Sequence, residues 1–143
     1  MDFYQILITT HIGVGILLFG VALVSVSVAV VSAVHPAADR SNSMLVERAN
    51  TVGLIENIIA CMVTITGLAA VFLGSFSLSE LWLWISLSIM VFYSLMLVFI
   101  TKPARLRVTK GGSATKTGMQ VLFHVAHILL IIVSFAFMLL KPA

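Results

Sequence analysis

Four uninterrupted apolar runs, Tyr4 to Val34, Thr51 to Leu73, Leu81 to Ile100 and Gly118 to Leu140, leave this chain little choice of fold. Each reaches the roughly 20 residues that a helix needs to cross a hydrocarbon layer ~30 Å thick. Lipid offers no hydrogen-bond partners, so a spanning segment satisfies its amides and carbonyls either as a helix or in a closed barrel. Runs such as Ile128-Leu-Leu-Ile-Ile-Val133 lack the in-and-out alternation of barrel strands, which selects helices. The expectation is an all-α protein, a four-transmembrane-helix bundle forming a single domain over residues 1–143, with helices at about 4–34, 44–74, 80–101 and 117–140.

Composition enters as an exclusion. The chain is 61% hydrophobic and 9% charged, against about 45–50% and about 25% in soluble proteins, so neither a soluble domain nor a nucleic-acid partner is expected. The first run opens with Asp2, has no basic segment before it and exceeds the roughly 7–15 residues of a signal-peptide core, which reads as a retained span. Cys61 is the single cysteine and reads as a small core residue.

Charge sets the expected topology. Of the 8 basic residues, Arg40 and Arg48 fall between runs one and two, and Lys102, Arg105, Arg107, Lys110 and Lys116 between runs three and four. By the positive-inside rule both connections face the cytoplasm and both termini the non-cytoplasmic side. The basic connection at Lys102, Arg105, Arg107 and Lys110 is expected to attract anionic lipid, at about 1 kcal/mol per residue near the surface. Val34 ends the first helix before His35-Pro36, Ser41 and Ser43 offer starts for the second, and Tyr4, Trp82 and Trp84 read as interfacial anchors.

The polar residues within the runs carry the functional argument, because ionisable groups at depth are costly and face a bundle interior, a cavity or a cofactor. In the fourth run Thr117, Gln120, His124, His127, Ile131 and Ser134 share one face at helical spacing. The second run carries a matching stripe of Gly53, Glu56, Asn57, Ala60, Thr64 and Gly67, and the two stripes are expected to meet. Counting ~1.5 Å per residue puts His124 and Glu56 at a similar depth of about 12 Å, as a pair near the cytoplasmic side. His11 lies roughly 13 Å from its own end and His127 about 16 Å from the other, so both approach the midplane and become candidate axial ligands of a haem iron. His124, Glu56, Asn57 and Gln120 then serve as further ligand, proton path or supporting shell. Tyr93, with Ser86 and Met90, reads as an inward core face of the third helix, and the methionines as adaptable packing.

The histidine of Thr10-His11-Ile-Gly, Thr66-Gly67-Leu with Gly74, Trp82 opening the third run, Lys102-Pro103-Ala-Arg-Leu106 and the terminal Met138-Leu-Leu-Lys-Pro142 together give the whole chain a resemblance. It resembles small four-helix membrane proteins of the CopD-type copper-resistance and HemJ-type protoporphyrinogen oxidase group. That resemblance implies haem binding at the first-helix histidine, here His11. The tryptophan and Tyr-Leu-Pro-Arg pattern expected after that histidine is replaced by Phe19-Gly-Val-Ala-Leu-Val, a departure that bears on porphyrinogen oxidation.

The sequence thus points to a multi-pass protein of a bacterial inner membrane that binds haem b and serves electron transfer. It would act with quinone as an oxidoreductase, or as a subunit of a respiratory or photosynthetic assembly, or as a homo-oligomer. The alternatives are a cofactor-free accessory subunit of a membrane complex and a small proton-coupled exporter using Glu56.

Overall fold

The computed structural model describes residues 2–34, 40–101 and 114–140. They form four helices, α1 (Phe3–Val34), α2 (Arg40–Leu73), α3 (Leu81–Met96) and α4 (Ala114–Leu140), with a π-helical turn, Leu97–Thr101, continuing α3. Within them Phe3–Val31, Glu47–Leu73, Leu81–Ile100 and Gly118–Leu140 are each long and apolar enough to cross a membrane. The β-branched residues crowding α1 favour strands in water, but hydrocarbon makes the helix the only way to satisfy each amide within one segment. Side-chain hydroxyls follow the same rule: Thr10, Ser27 and Thr64 donate back to the carbonyls of Ile6, Leu23 and Ala60 at 2.8, 2.9 and 3.0 Å.

Helix ends differ from the sequence expectation by a few residues. α2 is already helical at Arg40, so Ser41 and Ser43 lie inside it and do not open it, and α4 begins at Ala114, three residues before the expected 117. Hydropathy marks where a helix leaves the hydrocarbon, and these helices continue beyond that point. His35 and the basic residues Lys102, Arg105, Arg107 and Lys110 lie outside the described residues.

The helices surround one core in the cyclic order α1, α2, α3, α4, each in close backbone contact with its two neighbours in that ring. α1 and α2 run antiparallel along their lengths, as three pairs at successive levels show. Tyr4 reaches Gly74, His11 reaches Thr66, and Ser25 reaches Glu56. The turn between α2 and α3 is tied by Gly74 N–H to Ala70 O (2.9 Å), Glu80 N–H to Ser77 O (3.2 Å) and Trp84 Nε1–H to Leu78 O (2.7 Å). Trp84 is exposed, whereas Trp82 is buried and meets Phe76 edge-on, ring centroids 5.7 Å apart. Trp82 therefore packs inside the bundle and is not the interfacial anchor its position suggested. Cys61 is exposed on the outer face of α2, which corrects its reading as a core residue.

Close approach at a glycine seats α1 on α4. A Cβ added at Gly15 would lie 3.2 Å from the ring of Phe135, whereas one at Gly13 meets nothing within 4 Å. Gly15→Leu is therefore expected to cost about 1–3 kcal/mol through overpacking. Gly13→Ala should be neutral or stabilising, by up to about 1 kcal/mol from helix propensity. Reversible unfolding in bicelles separates the two, and equal effects would argue against this seating of α1.

Candidate functional site

Among the described residues the largest fully buried side chains are Tyr93, Leu18, His127 and Glu56, so three of these four carry polar groups. Each helix contributes one member of a connected set. Ser25 of α1 donates its hydroxyl to Glu56 Oε2 of α2 at 2.6 Å. Tyr93 of α3 donates its phenolic hydroxyl to Glu56 Oε1. His127 of α4 meets the Tyr93 ring edge-on, centroids 4.7 Å apart and planes at 88°. His127 Nδ1 lies 2.6 Å from Phe123 O, and a carbonyl only accepts, so Nδ1 carries the proton and Nε2 is the basic nitrogen. One turn away along α4, the His124 ring stands 6.1 Å from that of His127.

These contacts revise the sequence pairing. Glu56 was expected beside His124; its two oxygens instead receive Ser25 and Tyr93. The α2 and α4 stripes are both turned inward, with Glu56, Ala60, Gln120, His124, His127, Ile131 and Ser134 all buried, but α2 and α4 are diagonal in the ring and are not in close backbone contact. Tyr93 is what links them. Sequence reasoning gave it only a packing role, although a lone tyrosine on a helical face shared with a buried serine was the available signal.

The second centre lies nearer the chain termini. His11 Nδ1 is 3.0 Å from Thr66 Oγ1. The Thr66 hydroxyl is itself within donating distance of Met62 O (2.8 Å) and Val63 O (3.1 Å). With that proton on either carbonyl, Nδ1 of His11 donates to Thr66 and Nε2 is the basic nitrogen of the ring. The ring lies against Gly67, where an added Cβ would stand 2.9 Å from its Cε1. His11 borders a cavity of ≈ 490 Å³ whose walls include Gly67, Trp82, Ser86, Phe135 and Met138, and which is almost wholly apolar.

The structure does not bring His11 and His127 together. His127 stands at the level of Glu56 and hence of Ser25, which is fourteen positions beyond His11 on α1, a rise of about 21 Å. Metal–nitrogen bonds are about 2 Å long, so one iron cannot take both histidines as a pair. The sequence estimate failed because it measured each depth from the nearest charge and assumed those charges to be one hydrocarbon thickness apart. α1 has 32 residues and α4 has 27, which makes them about 48 and 40 Å long.

Gln120 lies on the His124 face, 5% exposed, and Asn57 adjoins Glu56 on α2. Among the described residues no group of three or more His, Cys, Asp or Glu is placed to hold a metal ion; a haem iron needs only one or two axial side chains. Compared with known proteins, the chain matches no family model, no curated protein and no solved structure.

Proposed function

We propose that this chain is a membrane-embedded haem b protein serving electron transfer, with quinone or as a subunit of a larger assembly in a bacterial inner membrane. In this reading His11 is the axial ligand and His127 is not. The observation that carries it is the placement of His11: Nδ1 is held at 3.0 Å by Thr66 Oγ1, and the ring borders the cavity. Metal-binding histidines are oriented in this way, by donating the other ring nitrogen's proton to a fixed acceptor. The cavity, ≈ 490 Å³, falls within the about 300–1,000 Å³ of cofactor sites, and its apolar walls suit the face of a porphyrin. Bound there, haem would supply one-electron chemistry. The chain's own part is to hold the imidazole aimed, and to exclude water with Trp82, Phe135 and Met138.

The purified protein, or the protein supplied with haem, is expected to show a Soret band that His11→Ala abolishes and His127→Ala leaves in place. Thr66→Val should weaken haem affinity by about 10–100-fold, since it removes the acceptor that orients the ligand. Absence of the band before and after haem addition would sink this reading.

A second reading has its own observation. Glu56, fully buried and joined by hydroxyls from two other helices, is the kind of intramembrane carboxylate that a proton-coupled exporter uses. Its test is gradient-driven efflux that Glu56→Gln abolishes.

A further inference from the structure

The Glu56 cluster and the His11 cavity differ in what separates them from the two ends of the bundle. Toward the cavity, Leu18, Ala22, Ile59, Val63, Met90 and Ile131 form a buried apolar layer. Toward the end bearing the 35–39 and 102–113 connections, α4 and α2 carry polar side chains, whereas Ala29 of α1 and Met96 and Leu97 of α3 are buried and apolar. His124 is 2% exposed and Gln120 5% exposed on α4, while on α2 Asn57 adjoins Glu56 and Asn50 lies nearly two turns toward that end. Among the described residues neither Nε2 nor Oε1 of Gln120 has a hydrogen-bond partner, and the same holds for Asn57 Oδ1 and Asn50 Oδ1. Amide groups at depth are costly without partners, and water is what completes them in protein interiors. A line of polar side chains on α4 and α2 therefore leads from this basic end to Glu56 and stops at the apolar layer.

The groups facing Glu56 suit a proton and no larger ion. α1 offers Ser25, and α3 offers Tyr93, both neutral donors already on the carboxylate oxygens. α4 offers His127 beyond the Tyr93 ring and His124 one turn further along the track. On α2 itself the nearest charged residues, Glu47 and Arg48, lie two turns or more toward the basic end. We propose that Glu56 is a proton-binding site served from the basic end alone, through water held along Gln120, His124 and Asn57. A proton arriving by the track adds to one carboxylate oxygen to give the neutral acid and leaves by the same route; no electrons move. The site stands whether or not the cavity takes haem, because the apolar layer separates them.

The test is infrared spectroscopy of the intact protein in lipid nanodiscs, without added haem. A carboxyl C=O band is expected to appear on acidification, to vanish in Glu56→Gln and to move to higher frequency in Tyr93→Phe, which removes one hydrogen bond and keeps the ring. Hydrogen–deuterium exchange of that band should slow by about tenfold or more in Gln120→Leu, which dewets the track. Ser86→Ala, in the cavity wall beyond the apolar layer, should leave it unchanged. No titrating band while the fold persists, a response to sodium in place of pH, or equal exchange rates in wild type and Gln120→Leu would each overturn the proposal. Tyr93→Phe keeps the test decisive if Glu56→Gln fails to fold.

Discussion

Tyr93→Ala is expected to lower the unfolding free energy by about 3–5 kcal/mol. Its ring is fully buried between α2 and α4, so truncation leaves a void at the level where all four helices contribute a side chain. It also removes one of the two donors on Glu56, and a buried acceptor that loses its partner costs a further amount. Tyr93→Phe isolates that second part. It should cost about 0.6–1.7 kcal/mol, between the average and the maximum measured for hydrogen bonds inside a membrane protein. Ser25→Ala removes the other donor and should cost a similar amount. Because both hydroxyls bind one carboxylate, the double variant should depart from additivity. Reversible unfolding in bicelles measures all of these. A Tyr93→Ala cost below that of Tyr93→Phe would contradict the bridging role given to the ring.

Gly67→Leu should displace His11 and weaken haem binding at the cavity. A Cβ at this position would stand 2.9, 3.4 and 3.6 Å from Cε1, Nδ1 and Nε2 of His11, so even alanine pushes against the whole ring. The ring can swing away, and the stability cost is therefore moderate, about 1–3 kcal/mol for overpacking. What the swing cannot keep is the bond between Nδ1 and Thr66 that orients the ring. Haem affinity is expected to fall by about 100-fold, at the upper end of what loss of an orienting partner produces. Nitrogen NMR of labelled histidine gives a readout that does not depend on haem. The His11 signals should lose the pattern of a single fixed tautomer in Gly67→Leu and keep it in Gly13→Ala. Unchanged histidine signals in Gly67→Leu would remove the basis for assigning Gly67 this role.

The helices and their inward faces were legible because hydrocarbon admits few backbones and because helical periodicity sorts polar from apolar positions. Gln120, His124, His127, Ile131 and Ser134 share a face by spacing, and all five are buried. Periodicity is blind to what that face meets. The stripe on α2 was matched with the stripe on α4 because both are polar, yet Glu56 is bonded from α1 and α3. Tyr93 was given only a packing role for a related reason. An aromatic ring at helical spacing is ordinarily packing, and only the position of its hydroxyl relative to another helix distinguishes the two roles. Trp82 and Cys61 were misplaced by the same blindness: residue type suggested an interfacial ring and a core thiol, whereas the angular position of each on its helix puts Trp82 inside and Cys61 outside.

Taken alone, the sequence determined the number of helices, their approximate extents and the face each turns inward, because these depend on local hydrophobicity and on a backbone that must satisfy itself. Only the tertiary structure decided which helices are neighbours and how far each is shifted along its axis. Those depend on side chains from different helices fitting one another, as Gly15 fits Phe135 and Gly67 fits His11. That shift separates His11 from His127 by about 21 Å along the bundle. It turns one presumed iron site into two centres, an imidazole beside an apolar cavity and a buried carboxylate held by Ser25 and Tyr93.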